Sequence, residues 1–232
     1  MSRDKIGAAN VAGFMKVVQL LKPPNVKVIG AMAMARNSIG SNCYVADEII
    51  TTRAGVRIRV VNTDAEGRMA MADVLAHMKE KALNEINPHI LTIATLTGHA
   101  VRSYGPYCAV MDNGVAKLGD FARKLQATGD LYGDMFEVSN VRKEDFEFVQ
   151  DKSGEYVDVL QCHNASKVQG NRGHQFPAAF LMNVSGLIKH QSNAEKPLKY
   201  SHLDLAGSAG KLPDPTTGST VIALAMHFLY HA

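Results

Sequence analysis

Asn62-Thr63-Asp64-Ala65-Glu66-Gly67-Arg68 is the stretch on which the reading of this chain turns. Just before it, residues 55–61 (GVRIRVV) alternate basic and apolar side chains, the period-two pattern of a strand with one solvated face. Just after it, residues 67–83 space Met69, Ala72, Leu75, Ala76 and Met78 so that a helix would turn them inward. The heptapeptide is therefore a strand-to-helix junction, and ligands of α/β sheets bind outside the carboxyl ends of strands. Asp64 and Glu66 are two residues apart, so an extended backbone would point both carboxylates to one side. Gly67 permits a close backbone approach, and Arg68 sets a planar cationic fork beside the two acids. Such oxygen donors suit Mg²⁺ and Mn²⁺, and also Zn²⁺. The competing reading has the two acids stabilising a helix N-terminus and pairing with Arg68, and for an arbitrary D-x-E-x-R string it is the commoner outcome.

Outward from the junction, strand and helix patterns alternate. Residues 8–21 carry Val11, Phe14, Met15, Val18 and Leu21 at helical spacing, and Pro23-Pro24 stop that helix. Residues 25–35 (NVKVIGAMAMA) read as an apolar strand, 89–96 (HILTIATL) as a strand covered on both faces, and 107–111 and 200–205 as shorter strands. Helices are expected over 118–127, 175–188 and 220–230. The pattern predicts an α/β fold with a central mixed, mostly parallel sheet flanked by helices. Residues 139–173, rich in charge, read as a loop excursion or lid. No linker divides the chain, so one domain is expected.

Composition narrows the functional classes. The 232 residues are 46% hydrophobic, which excludes a mostly disordered chain. A formal charge of +3, without a basic stretch, argues against a nucleic-acid partner. No apolar run is long enough to span a membrane. Three scattered cysteines, Cys43, Cys108 and Cys162, fit a reducing compartment better than a disulfide framework. The N-terminus shows no secretory signal, so a soluble cytoplasmic protein is expected.

NTDAEGR and the following MAMAD resemble the signature of the leucyl aminopeptidases, the cytosol aminopeptidase family of two-metal exopeptidases. RDKIGAA (3–9), ATLTG (94–98) and HLDLAG (202–207) agree with that family in the same order. The resemblance covers essentially the whole chain. It implies that Asp64 binds one metal, that Glu66 bridges two, and that Asp4 serves the second. It implies that Arg68 is catalytic, holding a bicarbonate ion that shuttles a proton. It places Met1, Thr95, Gly98 and Ala206 in the substrate pocket. The implied cofactors are two divalent cations, Zn²⁺ or Mn²⁺ with Mg²⁺ as a further option, which would lower the pKa of a bridging water and polarise the peptide carbonyl. Peptide substrates with leucine-like N-terminal residues and a homo-hexameric assembly follow from the same resemblance.

The departure from the family lies upstream of Asp4. A segment resembling K-G-x-x-x-D-x-G-G, with a further lysine, supplies two more metal ligands and a carbonyl-polarising lysine in the family, and Lys5 does not replace it. The reading therefore expects residues 1–232 to be a peptidase catalytic domain lacking its first part and the preceding regulatory domain. On that expectation the chain alone holds metal weakly and turns over little substrate. The alternative is an inactive homologue, a binding or structural subunit. Other tempting features carry less. Gly207 to Leu212 lacks the spacing of a phosphate loop, Cys162-His163-Asn164 is adjacent in sequence only, and Asp204 reads as a hydrogen-bonding residue rather than a ligand. Arg57 and Arg59 read as a solvated strand face.

Overall fold

The strand before the heptapeptide and the helix after it both form. The computed structural model describes residues 2–162 and 171–230. In chain order its elements are α1 (Ile6–Leu21), β1 (Ile49–Thr51), β2 (Arg57–Arg59), α2 (Glu66–Ala82), β3 (His89–Ala94), α3 (Gly98–Tyr104), β4 (Cys108–Asp112) and α4 (Gly114–Leu118). There follow α5 (Phe121–Tyr132), β5 (Phe136–Asn140), α6 (Lys143–Phe148), β6 (Val159–Leu160), α7 (Gln175–Val184), β7 (Lys199–Asp204) and α8 (Val221–Phe228). The fold is α/β, with mixed sheets flanked by helices. The chain forms two compact units, Met1–Met32 with Leu91–Ser139 and Tyr200–Ala232, and Ala33–Ile90 with Asn140–Lys199.

The first unit is built on a four-stranded sheet in the order β3-β7-β4-β5, with β7 antiparallel to β4 and Ala109 opposite Asp204. Burying Val110, Leu125, Leu203, Leu205 and Leu224 with Phe121 and Phe136 gives it a core shared by the sheet, α5 and α8. Gly7 lets α1 lie against β3, because a Cβ there would stand 2.1 Å from the carbonyl oxygen of Ile93. The buried Asp134 carboxylate accepts hydrogen bonds from the N–H groups of Thr220 and Ala223, which satisfies the start of α8.

The second unit carries the three-stranded sheet β1-β2-β6, with β2 antiparallel to β1 and parallel to β6. Against it α7 is apolar on nearly every side, Phe176 to Met182 all being buried, and α2 packs on it through a face that includes Ala72, Leu75 and Ala76. Arg57 pairs with Asp158 at 2.9 Å and lies over the Tyr156 ring, and Arg59 pairs with Glu155, so the basic face of β2 is answered by residues just before β6.

Three sequence expectations differ. Residues 25–35 form no strand: Val26, Val28 and Ala31 are half-buried and alternate with exposed Lys27, Ile29 and Met32, yet no ladder pairs them among the described residues. Gly30 instead packs under Met15 and Val11 of α1. The expected single helix over 118–127 is broken where Asp120 takes a left-handed backbone, giving α4 and α5. Residues 139–173 hold α6 and β6 rather than a plain loop. There the buried Asp145 accepts a bidentate pair of hydrogen bonds from Arg172 at 2.6 Å and one from the Arg142 N–H.

Candidate functional site

In the second unit the chain leaves β2 and makes a 3₁₀ turn, Thr63–Ala65, before α2 starts at Glu66. The extended geometry considered for the junction is therefore replaced by a helical one, in which residues two apart do not share a face. The turn is capped by Asn62, whose side-chain oxygen accepts from the Asp64 N–H at 3.0 Å. Capping thus falls to Asn62 and not to either acid. Asp64 is exposed and Glu66 half-buried.

Gln161, fully buried and just past β6, braces the same turn. Its Oε1 accepts from the N–H groups of Val61 and Asn62, and its Nε2 donates to the carbonyl of Ala65, each at 3.0 Å. Its backbone carbonyl receives Nη1 of Arg68 at 2.9 Å. Arg68 is 6% exposed, with its guanidinium 5.1 Å from the centre of the Phe176 ring and 5.9 Å from that of Phe180. Two residues escaped the sequence reading here. Gln161 lies far along the chain, and no pattern marks a glutamine that reaches back to a turn. Tyr44 has a hydroxyl shielded from solvent and without a hydrogen-bond partner among the described residues; partial burial and the charge of Glu66 hold its phenol above the usual range.

In the first unit, Asp4 sits in the turn before α1, and its Oδ1 accepts from Thr95 Oγ1 at 3.0 Å. Thr95 and Thr97 follow β3, Gly98 opens α3, and Ala206 follows β7. Between these loops Asp204 is fully buried. Its Oδ1 accepts from the N–H groups of Leu96 at 3.1 Å and of Thr97 and Ala206 at 3.3 Å, while Oδ2 accepts from Thr97 Oγ1 at 2.6 Å. A Cβ on Gly207 would stand 1.8 Å from the carbonyl oxygen of Gly105, so the loop after β7 passes hard against the end of α3.

The sequence-predicted residues thus fall into two sets, Asp64, Glu66 and Arg68 in one unit, and Asp4, Thr95, Gly98 and Ala206 in the other. Met1 and His163-Asn164 lie outside the described residues. Carboxylate oxygens are suitable donors for divalent cations. Among the described residues no three His, Cys, Asp or Glu side chains gather closely enough to hold an ion.

Comparison with known proteins identifies the family of this chain. Residues 1–226 match the model of the cytosol aminopeptidase family, catalytic domain. The chain belongs to that family. A Caenorhabditis elegans protein that carries an aminopeptidase name is 49% identical over 97% of this chain and 43% of its own length. A cytosol aminopeptidase of Vibrio cholerae is 30% identical over 99% of this chain and 41% of its own length. The solved structure of a tomato leucine aminopeptidase mutant superposes with a TM-score of 0.76 at 25% identity, over 97% of this chain and 40% of that one. The chain therefore spans about two-fifths of the length of these two relatives and of that solved chain. No helix among the described residues is long and apolar enough to cross a membrane.

Proposed function

We propose that this protein releases N-terminal residues, leucine-like ones among them, from peptides by metal-dependent hydrolysis. The observation that carries the reading is the braced Asn62–Arg68 turn at the carboxyl end of β2, in a chain of the cytosol aminopeptidase family. In this reading Asp4, Asp64 and Glu66 contribute carboxylate oxygens to two divalent cations, Zn²⁺ or Mn²⁺, together with further donors. Arg68 is the catalytic cation that holds a small anion such as bicarbonate, for which a planar guanidinium is suited. Thr95, Gly98 and Ala206 line the recess for the side chain of the N-terminal residue. Cytoplasmic location and assembly into a homo-oligomer, a hexamer by family resemblance, belong to the same proposal.

A second reading, a binding or structural subunit without turnover, is favoured by the lack of a three-donor group among the described residues. Release of p-nitroaniline from leucine p-nitroanilide, with Mn²⁺ or Zn²⁺ and then with EDTA, separates the two. The peptidase reading expects turnover that EDTA abolishes and that Glu66→Gln lowers by about 10- to 100-fold or more, the scale on which lost metal-site groups act. Turnover indifferent to EDTA and to Glu66→Gln would overturn the metal assignment, and none with either metal would favour the binding subunit.

A further inference from the structure

A carboxylate taken wholly out of water is costly unless it is richly hydrogen-bonded, so a buried Asp with four donors marks a place where the structure holds something in position. Asp204 is such a residue, at the carboxyl end of β7. Both of its oxygens are engaged by the loop after β3, through the N–H groups of Leu96 and Thr97 and the Thr97 hydroxyl. Oδ1 is also engaged by the loop after its own strand, through the Ala206 N–H. The contact then passes on. Having given its proton to Oδ2, the Thr97 oxygen accepts from the Ala100 N–H at 3.1 Å and so caps α3, which begins at Gly98. Thr95, two residues before Thr97, is bonded to Asp4. The Leu205 N–H donates to the Ala94 carbonyl at 2.9 Å, and Gly207 admits the close pass against Gly105. One side chain thus touches or adjoins each of the loops that carry Thr95, Gly98 and Ala206.

We propose that Asp204 is a positioning residue: its carboxylate clasps the loop after β3 to the loop after β7 and so sets the spacing of Thr95, Gly98 and Ala206 as one wall of the substrate recess. The inference rests on the peptidase reading and deepens it, since it assigns control of side-chain selectivity to a residue that touches no substrate. Asp204 lies beneath the recess and reaches the substrate only through the two loops. Displacing catalytic or recognition groups by roughly 1 Å costs about 100-fold in rate, and here the displaced groups are those that tell one side chain from another.

The test compares wild type, Asp204→Ala and Asp204→Asn on leucine and alanine p-nitroanilides, together with amide hydrogen exchange at Leu96, Thr97, Ala100 and Ala206. Asp204→Ala is expected to lower kcat/KM for the leucine substrate by about 10- to 100-fold, to shrink the leucine-to-alanine ratio, and to speed exchange at those amides. Asp204→Asn keeps an oxygen for the three N–H groups and is expected to restore most of the ratio. A purely structural Asp204 would lower the active fraction and cut both substrates alike, so an unchanged ratio overturns the proposal. Should Asp204→Ala fail to fold, Thr97→Val removes the hydroxyl link alone and is expected to shift the ratio in the same direction; an unmoved ratio there overturns the proposal too. A silent wild type sinks the peptidase reading and the recess with it, while the exchange pattern still shows whether the clasp exists. Unchanged exchange in Asp204→Ala sinks the clasp itself.

Discussion

Full burial strips the Asp204 carboxylate of its hydration and pushes its pKa up to about 6, against the downward pull of Thr97 and the three backbone N–H groups. An unfolded aspartate titrates near 3.9. Between about pH 4 and 6 the folded chain therefore binds more protons at this residue than the unfolded chain does, and its contribution to stability falls as pH rises through that window. Above about 6 it is constant. Urea midpoints of wild type and Asp204→Asn from pH 4.5 to 7.5 should show wild type losing ground to the variant up to about pH 6 and then running parallel; a gap that is flat or moves the other way would refute it. The nearby Cys108 thiol is pushed well up by burial, with the charge of Asp204 adding to it, so it stays protonated and does not titrate in this range. At this scale the sequence was partly legible. Asp64, Glu66 and Arg68 stand out because their types and spacing are local. Gln161 and Asp204 do not, because what defines them is a set of backbone groups about 100 residues away.

Among the elements, α1 shows how a single missing methyl decides packing. A Cβ at position 7 would stand 2.1 Å from the Ile93 carbonyl oxygen, a backbone atom that cannot step aside, whereas at position 13 the nearest atom, a methyl of Val221, would lie at a comfortable 3.6 Å. Gly7→Ala should therefore push α1 off β3 and cost about 1–3 kcal/mol, as overpacking does. Gly13→Ala should gain about 0.4–1 kcal/mol by restricting the unfolded chain at a helical position. Denaturant unfolding of the two variants decides it, and equal effects of the same sign would show that the contact at Gly7 is not what limits α1. The helices were legible where a long apolar period exists, as in α1 and α2, whose ends fall within two residues of the pattern. The pattern failed where a tertiary partner decides. Residues 25–35 have a strand's composition but no ladder partner among the described residues, and the left-handed Asp120 divides an otherwise continuous helical run. The short β6 owes its existence to pairing with β2, Ile58 opposite Val159, which no local window around residue 159 can reveal.

For the whole molecule, the metal question turns on how donors are distributed. Asp4 belongs to one unit and Asp64 and Glu66 to the other, and no three potential ligands converge among the described residues. Catalytic zinc sites ordinarily use three protein ligands, and each lost supporting group weakens binding by about 10- to 100-fold. One or two carboxylates hold a divalent ion only loosely, so calorimetric titration of the chain with Mn²⁺ should give a Kd weaker than about 10 µM, in the range of loose oxygen-donor sites. Leucine p-nitroanilide turnover should in that case keep rising as Mn²⁺ increases toward about millimolar, and EDTA should remove it at once rather than over hours. Asp64→Asn and Glu66→Gln should flatten the Mn²⁺ titration, because each removes a charged oxygen donor while keeping the side chain's size. Two equivalents bound at micromolar affinity or better would contradict this.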